Sequence, residues 1–74
     1  MAMSETTLQI RLNGDPIQCP AGLSLLQLLE LRGYKPQLVV VEFNGEILPR
    51  ARWADQPVRE ADAVEVVTIV GGGS

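Results

Sequence analysis

The chain has 74 residues, a formal net charge of −3, one cysteine and no histidine. The length allows one small domain. The composition excludes a histidine-dependent catalytic triad, a zinc site and a four-cysteine iron–sulfur cluster. It also argues against nucleic-acid binding, because no basic stripe is present. Since the sequence has no signal peptide, no run of about 18 apolar residues and no cysteine pair, we expect a cytoplasmic protein with no membrane partner.

Residues 8–19 predict a β-hairpin. Apolar and polar residues alternate over 8–12 and again over 17–19, and Asn13-Gly14 lies between the two runs. Asparagine and glycine both tolerate the positive φ that a two-residue hairpin turn requires. Cys19 follows the apolar alternation, so we interpret it as a small buried hydrophobic residue.

The stretch "PAGLSLLQLLELRGYKP" predicts a helix of about ten residues. Leu25, Leu28 and Leu29 recur at helical spacing. Ser24 has the position and side chain of an N-cap, and Gly33 supplies the C-terminal stop.

A second hairpin is predicted over residues 38–48, where a β-branched run is broken by Asn44-Gly45. Pro49 ends it, because proline has no N–H to donate to a neighbouring strand. Residues 50–62 look irregular. Trp53 and Val58 are predicted to anchor this segment to the core, whereas the alternative interpretation assigns Trp53 and its neighbouring arginines to a binding surface.

The sequence "AVEVVTIV" predicts a final strand with two different faces. Val64 and Val66 share one face, while Glu65, Val67 and Ile69 share the other. If the first pair faces the helix, Val67 and Ile69 lie on the outer face of the sheet, where folding does not explain their apolar side chains. They are the candidate residues for partner docking.

The predicted order is ββαββ-loop-β, an α+β arrangement with a mixed sheet and one crossover helix. This order resembles the ubiquitin-like β-grasp fold, in which the last strand lies beside the first. The implied organisation is a flexible N-terminus at 1–6, a β-grasp domain at 7–70 and a flexible glycine-rich tail at 71–74.

The tail "GGGS" has two interpretations. It is typical of a linker, but residues without Cβ can also enter a channel that is too narrow for other side chains. Three or four extended residues project the terminal carboxylate roughly 10 to 13 Å beyond the last strand. The carboxylate itself would then be the reactive group.

The runs "NGEILPRARW", "EADAVEVV" and "IVGGG" together resemble the ThiS family of sulfur carriers in thiamine biosynthesis, over about residues 8–73. The resemblance implies a protein cosubstrate that is not an enzyme and binds no cofactor or metal. An E1-like adenylyltransferase consumes ATP to adenylate the terminal glycine, and a persulfide donor of the cysteine desulfurase type then supplies sulfur to form a thiocarboxylate. Thiazole synthase receives the sulfur. The reactive end falls on Gly72 and Gly73, with Gly71 as spacer.

Two positions depart from the family pattern. Ser74 follows the terminal glycines, so we expect it to be trimmed or foreign to the natural end, with a tolerated extra residue as the remaining alternative. Ala61-Asp62 occupies the place of a frequent Gly-Asp, so we expect this turn to adopt a conformation that alanine accepts. Two other functions stay open: the small subunit of molybdopterin synthase, and a ubiquitin-like modifier or interaction module without sulfur chemistry.

Overall fold

Five strands and one α-helix form the part of the chain that the computed structural model describes, residues 7–69. The strands are β1 (Thr7–Leu12), β2 (Asp15–Pro20), β3 (Val39–Phe43), β4 (Glu46–Ile47) and β5 (Ala63–Thr68), and the helix is α1 (Leu25–Leu31). Two 3-10 helices lie at Pro36–Leu38 and Arg50–Asp55. The predicted element order is confirmed, but α1 is shorter than expected and the segment interpreted as irregular contains the second 3-10 helix.

The strands form one mixed sheet in the order β2-β1-β5-β3-β4. The last strand lies at the centre, parallel to β1 on one side and antiparallel to β3 on the other. This is the arrangement expected of the β-grasp fold. Crossing from β2 to β3 through α1 leaves a gap beside β1, and β5 fills it.

Local sequence signals account for the ends of α1. The Ser24 hydroxyl accepts a hydrogen bond from the Gln27 backbone N–H at 3.1 Å, and the Gln27 side-chain carbonyl accepts one from the Ser24 N–H at 2.9 Å. This reciprocal capping box satisfies two of the N–H groups that a helix start leaves without partners. After the helix, Gly33 has a φ of +89°, a conformation that glycine adopts without strain.

The core lies between α1 and one face of the sheet. Leu25, Leu28 and Leu29 are fully buried there, as the helical spacing predicts. Trp53 and Val58 are buried too, and the Trp53 indole N–H donates to the Leu48 carbonyl at 2.8 Å. The interpretation of these two residues as core anchors is therefore confirmed, while the neighbouring arginines are exposed.

Cys19 is buried in the same core, as predicted. Burial raises the pKa of its thiol; the Arg32 guanidinium opposes this shift and the Glu60 carboxylate adds to it. Because the thiolate is the nucleophilic form, a buried thiol with a raised pKa is an inert core residue.

The expectation for the Ala61-Asp62 turn is wrong. Ala61 has a φ of +71°, in the left-handed region that favours glycine. Its backbone N–H donates to the Gln9 carbonyl at 2.8 Å, and the Asp62 carboxylate accepts from the Arg59 N–H at 2.7 Å. These contacts hold the turn in a glycine-type conformation, and alanine carries a cost of about 1 kcal/mol there.

Candidate functional site

The reactive residues assigned from the resemblance, Gly71, Gly72 and Gly73, lie outside the described residues, as do both predicted flexible termini. What the structure does describe is the strand that carries the tail. β5 pairs with β3 over five residues, from Phe43 opposite Val64 to Val39 opposite Thr68. Ile69 continues this pairing, because its N–H donates to the Leu38 carbonyl at 2.6 Å. The strand is thus held by backbone bonds up to the last described residue.

Asn13 holds β5 from the side of β1. Its backbone N–H donates to the Val64 carbonyl at 2.8 Å, and its side-chain carbonyl accepts from the Val66 N–H at 2.7 Å. β1 ends at Leu12, so its backbone provides no acceptor for the Val66 N–H. The Asn13 side chain supplies that acceptor instead. Its φ of +53° belongs to the two-residue turn and also aims the side chain at β5.

Asn44 does the same from the side of β3. It has the same φ of +53°, its backbone N–H donates to the Ala63 carbonyl at 2.7 Å, and its side-chain carbonyl accepts from the Ala63 N–H at 2.8 Å. Its amide group also donates to the Asp62 carboxylate at 3.1 Å. The two Asn-Gly turns therefore make their hairpins and fasten the start of β5 from both sides.

Sequence reasoning identified both turns but missed this second role. No local signal reveals it, because Asn-Gly is the preferred pair of a two-residue hairpin turn whether or not the amide has a further partner.

We expect Asn13→Gly to destabilise the domain by about 1 to 2 kcal/mol, because glycine keeps the turn conformation but leaves the partly buried Val66 N–H without an acceptor. Asn13→Asp retains an acceptor oxygen and should lose less than half as much. Both variants lose the side-chain N–H donor of the long 3.5 Å contact to the Tyr34 hydroxyl. Urea unfolding measures the stabilities, and amide exchange at Val66 should accelerate in the glycine variant. Equal stability of the two variants would contradict this role.

The predicted faces of β5 are confirmed. Val64 and Val66 are buried under α1, whereas Val67 is 61% exposed and Ile69 46% exposed. Val67 lies opposite Val40, which is also exposed. Leu38, which lies beside Ile69, completes an apolar surface on this face. We call this surface the outer patch, and its members are Leu38, Val40, Val67 and Ile69. Sequence reasoning missed Leu38 and Val40, because the alternation along β5 does not reveal that β3 lies beside β5 in the sheet. Docking through Val67 and Ile69 stays a prediction.

Within residues 7–69, no three His, Cys, Asp or Glu side chains are grouped as a metal ion would require. Over the same range, no helix has the length and apolar character needed to cross a membrane.

Comparison with known proteins gives a consistent result. The sequence model of the ThiS family matches residues 10–73. The sulfur carrier protein ThiS of Escherichia coli K12 is 30% identical over 66 residues, which cover 89% of this chain and all of that protein. The thiazole synthase of Magnetococcus marinus is 38% identical over 66 residues, but these make up only 20% of that protein.

A solved structure supports the same assignment. The crystal structure of the thiamine biosynthesis protein ThiS from Geobacter metallireducens superimposes with a TM-score of 0.73 and 34% identity, covering 89% of this chain and all of that one. This match confirms the α+β β-grasp fold. The family match and the structural match agree over almost the whole chain, and the chain therefore belongs to the ThiS family.

Proposed function

We propose that the protein is a sulfur carrier for thiazole formation in thiamine biosynthesis, charged as a thiocarboxylate on Gly73. The observation that supports this most directly is the family match, which extends to residue 73 and so includes the glycine run. The structure adds a physical reason for the arrangement: β5 lies at the centre of the sheet and is held by backbone hydrogen bonds up to Ile69, the last described residue before the glycine run.

The chemistry requires little from the side chains of this protein. A carboxylate is a poor acyl electrophile, and transfer of AMP from ATP by an E1-like adenylyltransferase converts it into a good one. The terminal sulfur of a persulfide, made by an enzyme of the cysteine desulfurase type, then displaces AMP to form an acyl disulfide. A thiol reductant cleaves the S–S bond of this acyl disulfide and leaves the thiocarboxylate. The carrier contributes position and recognition as a cosubstrate, and the proposal needs no cofactor bound to it. ATP and persulfide sulfur are both met in the cytoplasm, which is where we place the protein.

Thiazole synthase is the proposed sulfur acceptor. Two proteins named thiazole synthase, from Magnetococcus marinus and Paramagnetospirillum magneticum, each contain a region similar to this chain within a longer polypeptide. A carrier-like region joined to the synthase favours this partner over the large subunit of molybdopterin synthase.

The test is an intact-mass measurement after incubation with the E1-like enzyme, ATP, a cysteine desulfurase, cysteine and a thiol reductant. Two forms of the chain are compared, one ending at Gly73 and one at Ser74. We expect the Gly73 form to exchange one oxygen for sulfur in the C-terminal fragment, and only when ATP is present. Exchange in the Gly73 form alone would show that Ser74 has to be removed. If neither form is charged, the carrier proposal fails and the interaction-module alternative is favoured.

A further inference from the structure

The two Asn-Gly turns have the same residues and the same backbone conformation but different surroundings. Asn13 and Asn44 both have a φ of +53°, and an added Cβ on the glycine that follows each of them would meet nothing within 4 Å. Asparagine followed by glycine can lose its side-chain amide without an enzyme, because no side chain on the second residue hinders attack by its backbone nitrogen. The surroundings therefore decide whether either turn reacts in the folded protein.

The reaction is an intramolecular substitution at the asparagine side chain. The backbone nitrogen of the glycine bonds to Cγ of the asparagine and gives up its proton, the bond from Cγ to Nδ2 breaks, and ammonia leaves with that proton. Water then opens the resulting succinimide ring at Cγ to give aspartate, or at the backbone carbonyl carbon to give isoaspartate, which lengthens the main chain. A water molecule is consumed and an ammonia molecule is released, so no other reactant is needed.

Hydrogen bonds restrain this reaction by holding Cγ in place. The Asn13 side-chain carbonyl accepts from the N–H of Val66, a buried residue, at 2.7 Å. The Asn44 side chain accepts from the Ala63 N–H at 2.8 Å and donates to the Asp62 carboxylate at 3.1 Å, and both of these bonds are exposed. Water can replace the partners of an exposed bond, whereas opening the Asn13 bond leaves a partly buried N–H without an acceptor. The bonds of Asn44 are therefore easier to open.

The strands that flank the two turns differ in the same direction. β1 and β2 pair over six residues each, and Cys19 of β2 is buried in the core. β3 and β4 pair over two residues, and both side chains of β4, Glu46 and Ile47, are exposed. Segments with few buried contacts and exposed hydrogen bonds open at the lowest free energy. The second hairpin should therefore release its turn more often than the first.

The product does not fit the place of the Asn44 side chain. The Asn44 amide donates to the Asp62 carboxylate, which also accepts from the Arg59 N–H at 2.7 Å. Deamidation replaces this donor with a carboxylate oxygen, so two negative charges face each other at hydrogen-bonding distance and repel. The change is permanent because ammonia is lost, and it lies next to Ala63, where β5 begins.

We propose that Asn44-Gly45 is a site of spontaneous deamidation in the folded protein, that Asn13-Gly14 is protected, and that deamidation at Asn44 loosens the start of β5. The reaction is independent of sulfur charging, so its test stands apart from that of the proposed function.

The test incubates the full chain in mildly alkaline, ammonia-free buffer and locates each amide that becomes an acid by peptide mapping with mass spectrometry. We expect Asn44 to convert about tenfold faster than Asn13, the effect of roughly one hydrogen bond on the opening equilibrium. A parallel sample in concentrated urea is the control; there the two sites should convert at similar rates, because the fold no longer separates them.

Four results would overturn the assignment: equal rates at the two sites of the folded protein, faster conversion of Asn13, no detectable conversion of Asn44 in the folded protein, or a difference of the same size in urea. The last result would place the cause in the local sequence and not in the fold.

A set of variants tests the consequence for β5 by urea unfolding. N44D reproduces the charged product and should raise the equilibrium constant for unfolding about tenfold, because a donor is lost and a repulsion is gained. N44D/D62N should recover most of this loss, since an amide at position 62 can donate to the carboxylate at position 44. D62N alone is the matched control and should lose less stability than N44D. Wild-type stability of N44D, or no recovery in the double variant, would contradict the proposed loosening.

Discussion

A chain that ends at Gly71 is expected to lose sulfur charging completely while its folded domain keeps the stability of the full chain. Compared with a chain that ends at Gly73, this chain holds its carboxylate two residues further from the adenylation centre, or roughly 7 Å of extended chain. Misplacement of a reacting group by 1 Å can already cost about 100-fold in rate, so a displacement of this size leaves no measurable reaction. The rate of ATP-dependent pyrophosphate release with the E1-like enzyme is the measurement.

The control for this truncation is stability. All described hydrogen bonds of β5 are made at or before Ile69, so the shortened chain should unfold at the same urea concentration as the full chain. A second variant, Gly73→Ala, keeps the length and adds one methyl group to the terminal residue; we expect it to be charged more slowly than the Gly73 form. Undiminished charging of the chain that ends at Gly71 would refute the assignment of Gly72 and Gly73 as the reactive end.

Trp53→Ala should be the most damaging single substitution for the fold. Trp53 is the largest fully buried side chain and is 2% exposed. Truncation of a buried tryptophan to alanine costs about 3 to 5 kcal/mol, and it also leaves the Leu48 carbonyl without its indole donor. Small domains have total stabilities near 5 kcal/mol, so at most about 2 kcal/mol should remain and the folded state of this variant should be only marginally stable at room temperature.

Two further substitutions separate packing from hydrogen bonding at this position. Trp53→Phe keeps much of the buried area but loses the bond to Leu48, and we expect a loss of about 1 to 2 kcal/mol. Arg52→Ala changes an exposed side chain of the same 3-10 helix and should stay within about 0.5 kcal/mol of the wild type. Far-ultraviolet circular dichroism has to follow the unfolding, because Trp53 is the sole tryptophan. Stability of the alanine variant close to that of the wild type would contradict the anchoring role.

The features that the sequence predicts correctly depend on neighbouring residues. The Ser24 cap, the two Asn-Gly turns and the alternation along β5 are each specified within a few positions. Asp15 illustrates the limit of such reasoning: its place beside Pro16 is compatible with a turn longer than two residues, but Asp15 already pairs with Leu12 and begins β2.

The features that the sequence leaves undetermined depend on residues far apart in the chain. The hydrogen bond from Val66 to Asn13 spans 53 positions. Glu42 lies opposite Glu65 only because β3 adopts one particular register against β5. The Ala61 turn differs from its expected conformation for the same reason. The Ala61 N–H donates to the distant Gln9 carbonyl, and this bond helps to hold a backbone conformation that alanine would not choose.

The parallel contact between β1 and β5 has a mechanical consequence. These two strands point in the same direction, so a force that pulls Thr7 and Ile69 apart loads their hydrogen bonds in shear. The bonds from Arg11 to Asp62, from Asn13 to Val64 and from Val66 to Asn13 lie across that direction and have to break together. β5 cannot peel away one bond at a time, as it would from a hairpin pulled at its open end. Tension on the C-terminus is therefore transmitted to the whole sheet, and the domain should resist it as one unit.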